Sequence, residues 1–473
     1  MRVPELDARI VADPARALPS EALADWVVAQ RWFGSKSQDF ATFNVLDVAV
    51  LEPEPPLLAV MLLEARLHSG THELYQLPFV TCEEARAPTE DGVIIRMDGA
   101  AVCDALLDPH QTARLAGLMA AERVVTRDTS TVTFCWDSDE RLTPAARVRV
   151  MGVEQSNSSM VLDERFALKV FRRLEAGTNP ELEMLRFLDT HRFPHIARVE
   201  GSYSYHGALL DATLGVMQRY IPHAGDGWAL ALEALAAQRS DDFLTHLRDL
   251  GAVTGRMHSV LASDPEDPDF APEEPSDENV ALITATIDEQ IERSFIELPD
   301  LEELAPISGR SEELRDRLMA LSHHGVGGRL IRCHGDYHLG QTVFGADGWT
   351  VLDFEGEPGR PIRERRRKRS PLRDVAGMLR SLAYVALASE LVLGGPATPP
   401  DWEARAREQF LAGYMQEVDR QLLPVGGEAI DKLLALFELE KVLYELRYEL
   451  DNRPDWLAVP VAAISRLLEE PLE

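Results

Sequence analysis

The chain has 473 residues, 45% hydrophobic and 27% charged, which excludes a disordered polymer and exceeds one ordinary core, so two or three domains are expected. Its 48 basic and 79 acidic residues give a formal charge of −31, which argues against a nucleic-acid partner but leaves room for a local basic pocket that takes an anionic substrate. Cys82, Cys103, Cys135 and Cys333 show neither close pairing nor metal-ligand spacing, so no disulfide framework or zinc site is expected and a reducing compartment fits.

The opening segment MRVPELDARIVADPARALPS lacks the apolar core of a signal peptide. The strongest apolar run, Leu57 to Leu63, is far too short to cross a bilayer. A cytoplasmic protein without a membrane partner is the expectation. Residues 1–90 read as a small α+β unit. Helical apolar spacing follows Pro19 and Ser20, and the runs FNVLDVAVLE, PLLAVMLLEARL and THELYQLPFV are strand-like, the last two flanking HSG as in a hairpin. In RWFGSKS, Arg31 to Ser37, the aromatics read as core residues at a helix end with Gly34 as the C-cap; a substrate- or domain-facing surface is the alternative.

Residues 91–220 read as a second unit. The strand RVRVMGV leads into the polar turn EQSNSS, Glu154 to Ser159, and then into the strand FALKVF with Lys169 at its middle. Asn179 and Pro180 are an N-cap and first-turn pair for a helix that carries Leu182, Leu185 and Leu188 on one face. A strand pair spans GSYSYHGALLDATLGVMQRYIP. From residue 221 to 473 the chain reads as mainly helical: FLTHLRDLGAVTGRMHSVLAS has amphipathic spacing, and so does the dense LLALFELEKVLYELRYEL near the end. The Pro- and acid-rich stretch from Asp264 to Asn279 reads as an exposed loop.

The chemistry concentrates in CHGDYHLGQTVFGADGWTVLDFEGEP, Cys333 to Pro358. Two short strands around GADG form a predicted hairpin that returns Asp353 toward Gln341 and Asp336. A carboxylate beside an amide oxygen suits Mg²⁺, which leaves Asp336 to accept the proton of an attacking hydroxyl. The protein-kinase pattern HRDxxxxN followed by DFG is met here by His334-Gly335-Asp336 with Gln341, and by Asp353-Phe354-Glu355-Gly356. Gln341 keeps the amide oxygen of the usual Asn on an arm one methylene longer. Upstream, Lys169 is the candidate cation for ATP phosphates, paired with Glu181 or Glu183, of which Glu183 is favoured. Gln155, Ser156, Asn157 and Ser158 would cover the phosphates, in a loop without the glycines of a Walker A motif. Met217, Gln218 and Tyr220 lie in the connector that would meet adenine. His338, Glu355, Arg373, Tyr448 and Trp456 are acceptor-side candidates. Trp228 and Tyr444 are further rings that could stack on a sugar, with core packing at least as good a reading for Tyr444. The basic run Arg363 to Ser370 reads as a solvated or carboxylate-paired loop rather than a nucleic-acid patch, and Asp374 as a helix cap that holds the catalytic loop's backbone.

With these motifs in place, the sequence resembles the aminoglycoside phosphotransferase and choline kinase-like superfamily. More closely, it is similar to the bacterial maltokinases. The carrying stretches are RWFGSKS, GTHELYQLP, EQSNSSMVLDERFALKVFRRLEAGTNPELEM, HGDYHLGQ, DFEGEPGRPIRERRRKRSPLRDVAGMLRS and YELDNRPDW. The resemblance implies an α+β, two-lobed protein-kinase-like fold. An N-terminal cap would span 1–90, an intermediate nucleotide-binding subdomain 91–220, and a mainly helical C-lobe 221–473. It implies ATP and Mg²⁺ as cofactors and a small-molecule sugar as partner, in a monomer or homodimer. The implied reaction converts maltose to maltose 1-phosphate for α-glucan (glycogen) synthesis. By motif, Asp336 is the catalytic base, Gln341 and Asp353 bind Mg²⁺, and Lys169 holds ATP phosphates. One departure touches the cap: RWFGSKSQ stands where such proteins commonly show RWFGGKGR. Glucosamine, an aminoglycoside or another amino sugar is the alternative acceptor, and a silent sugar-binding regulator the alternative of another class. An amino sugar would call for an extra carboxylate, with Asp226, Glu440, Glu445, Glu449, Asp451 and Asp455 as candidates.

Overall fold

The computed structural model describes residues 1–469 apart from 35–39, 88, 90, 128–129, 144–145, 152–156, 224, 297, 323–326, 358 and 396–397. Two compact units result: Met1–Arg186 with Ala197–Pro222, and Phe187–Ile196 with His223–Glu473.

The first unit is built on two antiparallel sheets. The order of the six-stranded sheet is Phe40–Glu52, Leu58–Leu67, His72–Glu83, Ala100–Asp104, Val93–Met97, with the short strand Arg173–Leu174 paired to His72–Glu83. The expected boundary at residue 90 falls inside this sheet, because both Val93–Met97 and Ala100–Asp104 belong to it. The strand Leu58–Leu67 is apolar at nearly every position because both its faces are covered. Leu58, Val60 and Leu62 enter one core, and Ala59, Met61 and Leu63 the other, the period of two that a strand imposes.

One of these cores is closed by the helices Val3–Ala12 and Ser20–Ala29, through Leu6, Ile10, Leu23, Trp26 and Val27. The sequence reading missed the first helix, whose buried residues Leu6, Asp7 and Ile10 give too short a pattern to stand out. Asp7 accepts a hydrogen bond from the Thr81 hydroxyl at 2.6 Å. Trp32 and Phe33 are core residues, but Gly34 is not the C-cap. The helix stops at Ala29, Gln30 N–H closes onto the Val27 carbonyl, and Gly34 has no left-handed φ. Ser35, Lys36 and Ser37 of the same motif lie outside the described residues.

The second core joins the other face of that sheet to the helix Pro109–Ala120 and to a seven-stranded sheet. Its order is Val124–Arg127, Ser130–Trp136, Val199–His206, Asp211–Arg219, Phe166–Phe171, Asn157–Leu162, Val148–Val150. Phe134, Phe166, Leu168, Val170 and Tyr203 fill the space between. A buried ion pair, Arg172 to Asp104 at 2.6 Å, crosses it, and the Gln76 amide donates to the Phe171 carbonyl at 2.8 Å. Neighbouring strands also bring the Cys82 and Cys103 thiols to 2.7 Å, a pairing their spacing in sequence did not announce.

The second unit is mainly helical, with one hairpin among the described residues. Helices Ser240–Leu261 and Trp402–Glu417 cross so closely that a Cβ on Gly251 would lie 2.0 Å from the Phe410 carbonyl oxygen. That contact is the packing reason for glycine in LGAVTGRMH. The acidic stretch is not a free loop. Phe270 is buried and stacks on Phe187 at 3.7 Å, Glu273 and Leu330 exchange backbone hydrogen bonds, and a helix begins at Asp277. Among the described residues no helix is long and apolar enough to cross a membrane.

Candidate active site

In the second unit, the loop His334 to Gln341 is held from below by Asp374 on the helix Leu372–Leu391. Asp374 accepts from His334 N–H at 2.8 Å and Gly335 N–H at 3.0 Å, and meets His258 Nε2 at 3.1 Å. Burial alone would raise its pKa. The hydrogen bond and charge of His258, then His334 and the Gly335 N–H, offset this and hold it below the usual aspartate value. Gly335 turns with φ +87°, a conformation that glycine adopts without strain. The His334 Nε2 meets the Leu352 carbonyl at 2.8 Å, which fixes the loop to the segment just before Asp353.

The strands Thr342–Gly345 and Gly348–Val351 pair as a hairpin with Gly345 opposite Gly348. Asp353 follows with φ +59°, sparsely populated for a residue with a side chain. This turn brings its Oδ2 to 3.2 Å from Gln341 Nε2. Turned about its last torsion, the same amide offers Oε1. Two oxygen ligands then stand side by side, a donor set that fits Mg²⁺.

Asp336 does not stand alone. Lys441 Nζ, from the helix Gly427–Asn452, lies 3.0 Å from its Oδ1, and His338 Nε2 lies 3.9 Å from Oδ2. Burial would raise the Asp336 pKa, but Lys441 and then His338 outweigh it and keep the carboxyl below its usual range. Burial likewise disfavours the Lys441 charge, yet Asp336 and Glu357 hold the ammonium above the usual lysine value. The sequence reading missed Lys441, whose sign is a lone lysine among Leu439, Val442 and Leu443.

A cavity of about 70 Å³ opens beside Asp336, with Lys441, Tyr444, Glu440, Arg373 and Glu357 in its wall. Tyr444 is 43% exposed, so core packing is not its role. Arg373 bonds Glu440 at 2.7 Å and sits over the Phe437 ring. Glu355 pairs with Arg365 at 3.9 Å. His338 lies by Asp336, its Nδ1 accepting from Gly340 N–H at 3.1 Å. Tyr448 and Trp456 are not in this wall. Arg453 lies over both rings, and Trp456 stacks on Tyr384, which also meets Trp228. The basic run starts in the short helix Ile362–Arg365 and is in part carboxylate-paired: Lys368 binds Glu273 at 2.8 Å and Arg366 lies 3.5 Å from Asp269.

In the first unit, Lys169 pairs with Glu181 at 2.8 Å, where the sequence reading favoured Glu183. Asn179 Oδ1 accepts from Glu181 N–H at 2.8 Å, which sets the first turn of Pro180–Thr190. Glu183 is two positions on, about 200° around the helix. The Gln218 amide donates to the other Glu181 oxygen at 2.8 Å, so Gln218 acts through that pair. Asn157 and Ser158 are in the strand Asn157–Leu162 rather than in a loop, and the Ser158 hydroxyl accepts from Arg172 at 2.8 Å. Gln155 and Ser156 lie outside the described residues. Met217 is wholly buried in the core, so its side chain is not open to a ligand. The Tyr220 hydroxyl accepts from Arg149 at 2.8 Å.

The fold is kinase-like. Residues 26–108 match the maltokinase N-terminal cap domain, and residues 147–356 match the phosphotransferase enzyme family. The two matches agree with the resemblance read from the motifs, a maltokinase-type cap joined to a region of the aminoglycoside phosphotransferase/kinase-like superfamily. The chain is 28% identical over 345 residues to a glucosamine kinase of Streptacidiphilus jiangxiensis, covering 70% of this chain and 75% of the relative. It is 27% identical over 336 residues to a glucosamine kinase of Mycolicibacterium smegmatis (strain ATCC 700084 / mc(2)155), covering 68% and 80%. A solved glucosamine kinase in complex with glucosamine, ADP and inorganic phosphate shares the fold. The TM-score is 0.66 at 21% identity, over 95% of this chain and 100% of that one.

Proposed function

We propose that the chain is an ATP-dependent carbohydrate kinase that phosphorylates maltose at its anomeric hydroxyl, giving maltose 1-phosphate for α-glucan synthesis. The observation that carries the reading is the catalytic loop, with Asp336 presented on a backbone held by Asp374 and with Gln341 and Asp353 side by side. The maltokinase-type cap favours maltose as the acceptor. The reading includes a cap, an intermediate subdomain and a helical C-lobe, in a cytoplasmic monomer or homodimer.

The acceptor hydroxyl donates a hydrogen bond to Asp336. As its oxygen bonds to the γ-phosphorus and the bond to the bridging β,γ oxygen breaks, the hydroxyl proton passes to Asp336 and ADP leaves. Asp336 aims the nucleophile more than it activates it, because phosphoryl transfer goes through a loose transition state. Its low pKa is therefore no handicap. Lys169, held by Glu181, neutralises phosphate oxygens of ATP. Bound at Gln341 and Asp353, Mg²⁺ would supply charge neutralisation to the phosphates. Most of the rate gain is positional and electrostatic.

Glucosamine is the second reading, favoured by the names of the relatives. ADP release measured with maltose, glucosamine, glucose, trehalose and kanamycin tests both. Release with maltose, lost in Asp336→Asn, supports the first. Release with glucosamine alone supports the second, and none with any acceptor overturns the kinase reading.

A further inference from the structure

The carboxylates of the wall beside Asp336 each have a partner, with Arg360 shared by two of them. Asp336 is matched by Lys441 at 3.0 Å, Glu440 by Arg373 at 2.7 Å, and Glu357 by Arg360. Asp374 is taken by His258 and two backbone N–H groups. The remaining carboxylate of the wall, Glu364, lies 3.7 Å from Arg360. Cations also crowd the wall: the Arg369 guanidinium donates to a carbonyl, Glu364 O, at 3.4 Å. Burial, then the like charges of Arg373 and Arg360, push Arg369 down to about 10. Burial and like charge crowd the cations on this side of the wall, within a chain whose formal charge is −31.

The acids that the sequence offered to an amino sugar are committed elsewhere. Glu445 binds Arg380 at 2.8 Å, and Glu449 binds Arg453 at 2.6 Å. Asp226 caps the helix Gly227–Ala236 through Ala229 N–H at 2.8 Å. Asp451 and Asp455 are exposed and outside the wall. Lys441 is fixed as well as charged, lying 5.0 Å from the centroid of the Tyr444 ring one turn along.

We infer that Lys441 is a specificity-determining residue, whose ammonium beside Asp336 admits neutral hydroxyl acceptors and rejects cationic amino sugars. The inference rests on the kinase reading. Any acceptor must bring a hydroxyl within hydrogen-bond reach of Asp336, and so brings its neighbouring substituents close to Lys441. A neutral sugar oxygen can accept from that ammonium. A protonated amine meets like charge with no unpaired carboxylate among the described wall residues, and rejection by like charge is a common route to specificity.

The test uses the full chain and the pair glucose and glucosamine, which differ at one substituent, alongside maltose. Wild type should show kcat/KM for glucose above that for glucosamine by about tenfold or more at a pH where the amine is protonated. In Lys441→Gln, with an unchanged melting temperature, that ratio should shift by about tenfold toward glucosamine, the change expected from removing one desolvated like-charge contact. A ratio unmoved in folded Lys441→Gln overturns the inference, since a merely structural lysine would alter both acceptors alike. Should Lys441→Gln not fold, the wild-type comparison decides: preference for glucosamine over glucose overturns it. Those results leave the kinase reading standing. No ADP release from wild type with any sugar overturns that reading, and the inference with it.

Discussion

Replacing Asp374 by Ala would remove one buried carboxylate and three contacts at once: His334 N–H at 2.8 Å, Gly335 N–H at 3.0 Å and His258 Nε2 at 3.1 Å. The residue is 2% exposed, so water does not replace what is lost. Hydrogen bonds to a charged group contribute about 1.5–3 kcal/mol each and are not additive. Removing one member of a buried charged network costs about 3–5 kcal/mol. In a unit of this size that is a fall of about 10 °C in melting temperature. Asp374→Asn keeps one acceptor oxygen and should lose about half as much. Turnover should fall further than stability suggests, by about a hundredfold, because the freed loop no longer fixes Asp336 to within an ångström. The same contacts set an acid dependence. The folded pKa of Asp374 lies below that of an unfolded aspartate, about 3.9. Its stabilisation is therefore complete above that value and lost as pH falls through the lower folded one. Thermal unfolding from neutral to acid pH, with ADP release measured on the same samples, tests this. An Asp374→Ala variant that melts within about 2 °C of wild type and keeps its turnover would refute the reasoning.

Asp336→Asn should lower kcat by about a hundredfold or more while leaving nucleotide affinity nearly intact, read by calorimetric titration with ADP; an unchanged kcat removes Asp336 from the chemistry. Glu181→Gln should destabilise by about 3 kcal/mol, because the buried Lys169 charge then loses the carboxylate 2.8 Å away, whereas Glu183→Gln should cost about 1 kcal/mol or less; urea unfolding of both variants decides which glutamate matters more to Lys169. Gly251→Ala should lower stability by about 2 kcal/mol or more through overpacking, since its Cβ would stand 2.0 Å from the Phe410 carbonyl oxygen; a neutral result would mean the two helices separate at little cost.

The kinase-like fold was legible because its motifs are local. His334 to Gln341 and the returning Asp353 are close in sequence, and a short hairpin decides their geometry. Asp374 was legible for the same reason, standing at the start of a helix with a clear pattern. Contacts made by distant chain segments were not. Lys441 reaches Asp336 across 105 positions, and no spacing rule reports such a pair. Glu181 against Glu183 turned on which face of a first turn looks at Lys169, and the N-cap bond of Asn179 sets that. The sequence put Tyr448 on the acceptor side and left core packing as good a reading for Tyr444, yet Tyr444 is in the cavity wall and Tyr448 lies under Arg453. Met217 looked like a connector residue because the strand Asp211–Arg219 runs further into the core than its polar end suggests.

The strand Leu58–Leu67 carries a lesson for anyone who would cut this chain. Excising residues 1–105 would strip one face of a sheet bare, leaving Leu58, Val60, Leu62, Val80 and Cys103 in water together. Such a fragment would carry a sticky flat surface and tend to self-associate. The rest of the unit would in turn lose the carboxylate that neutralises buried Arg172. What looks like a detachable module in the pattern of the motifs is therefore a half-shell, inherited and lost as one piece with the sheet that carries Lys169.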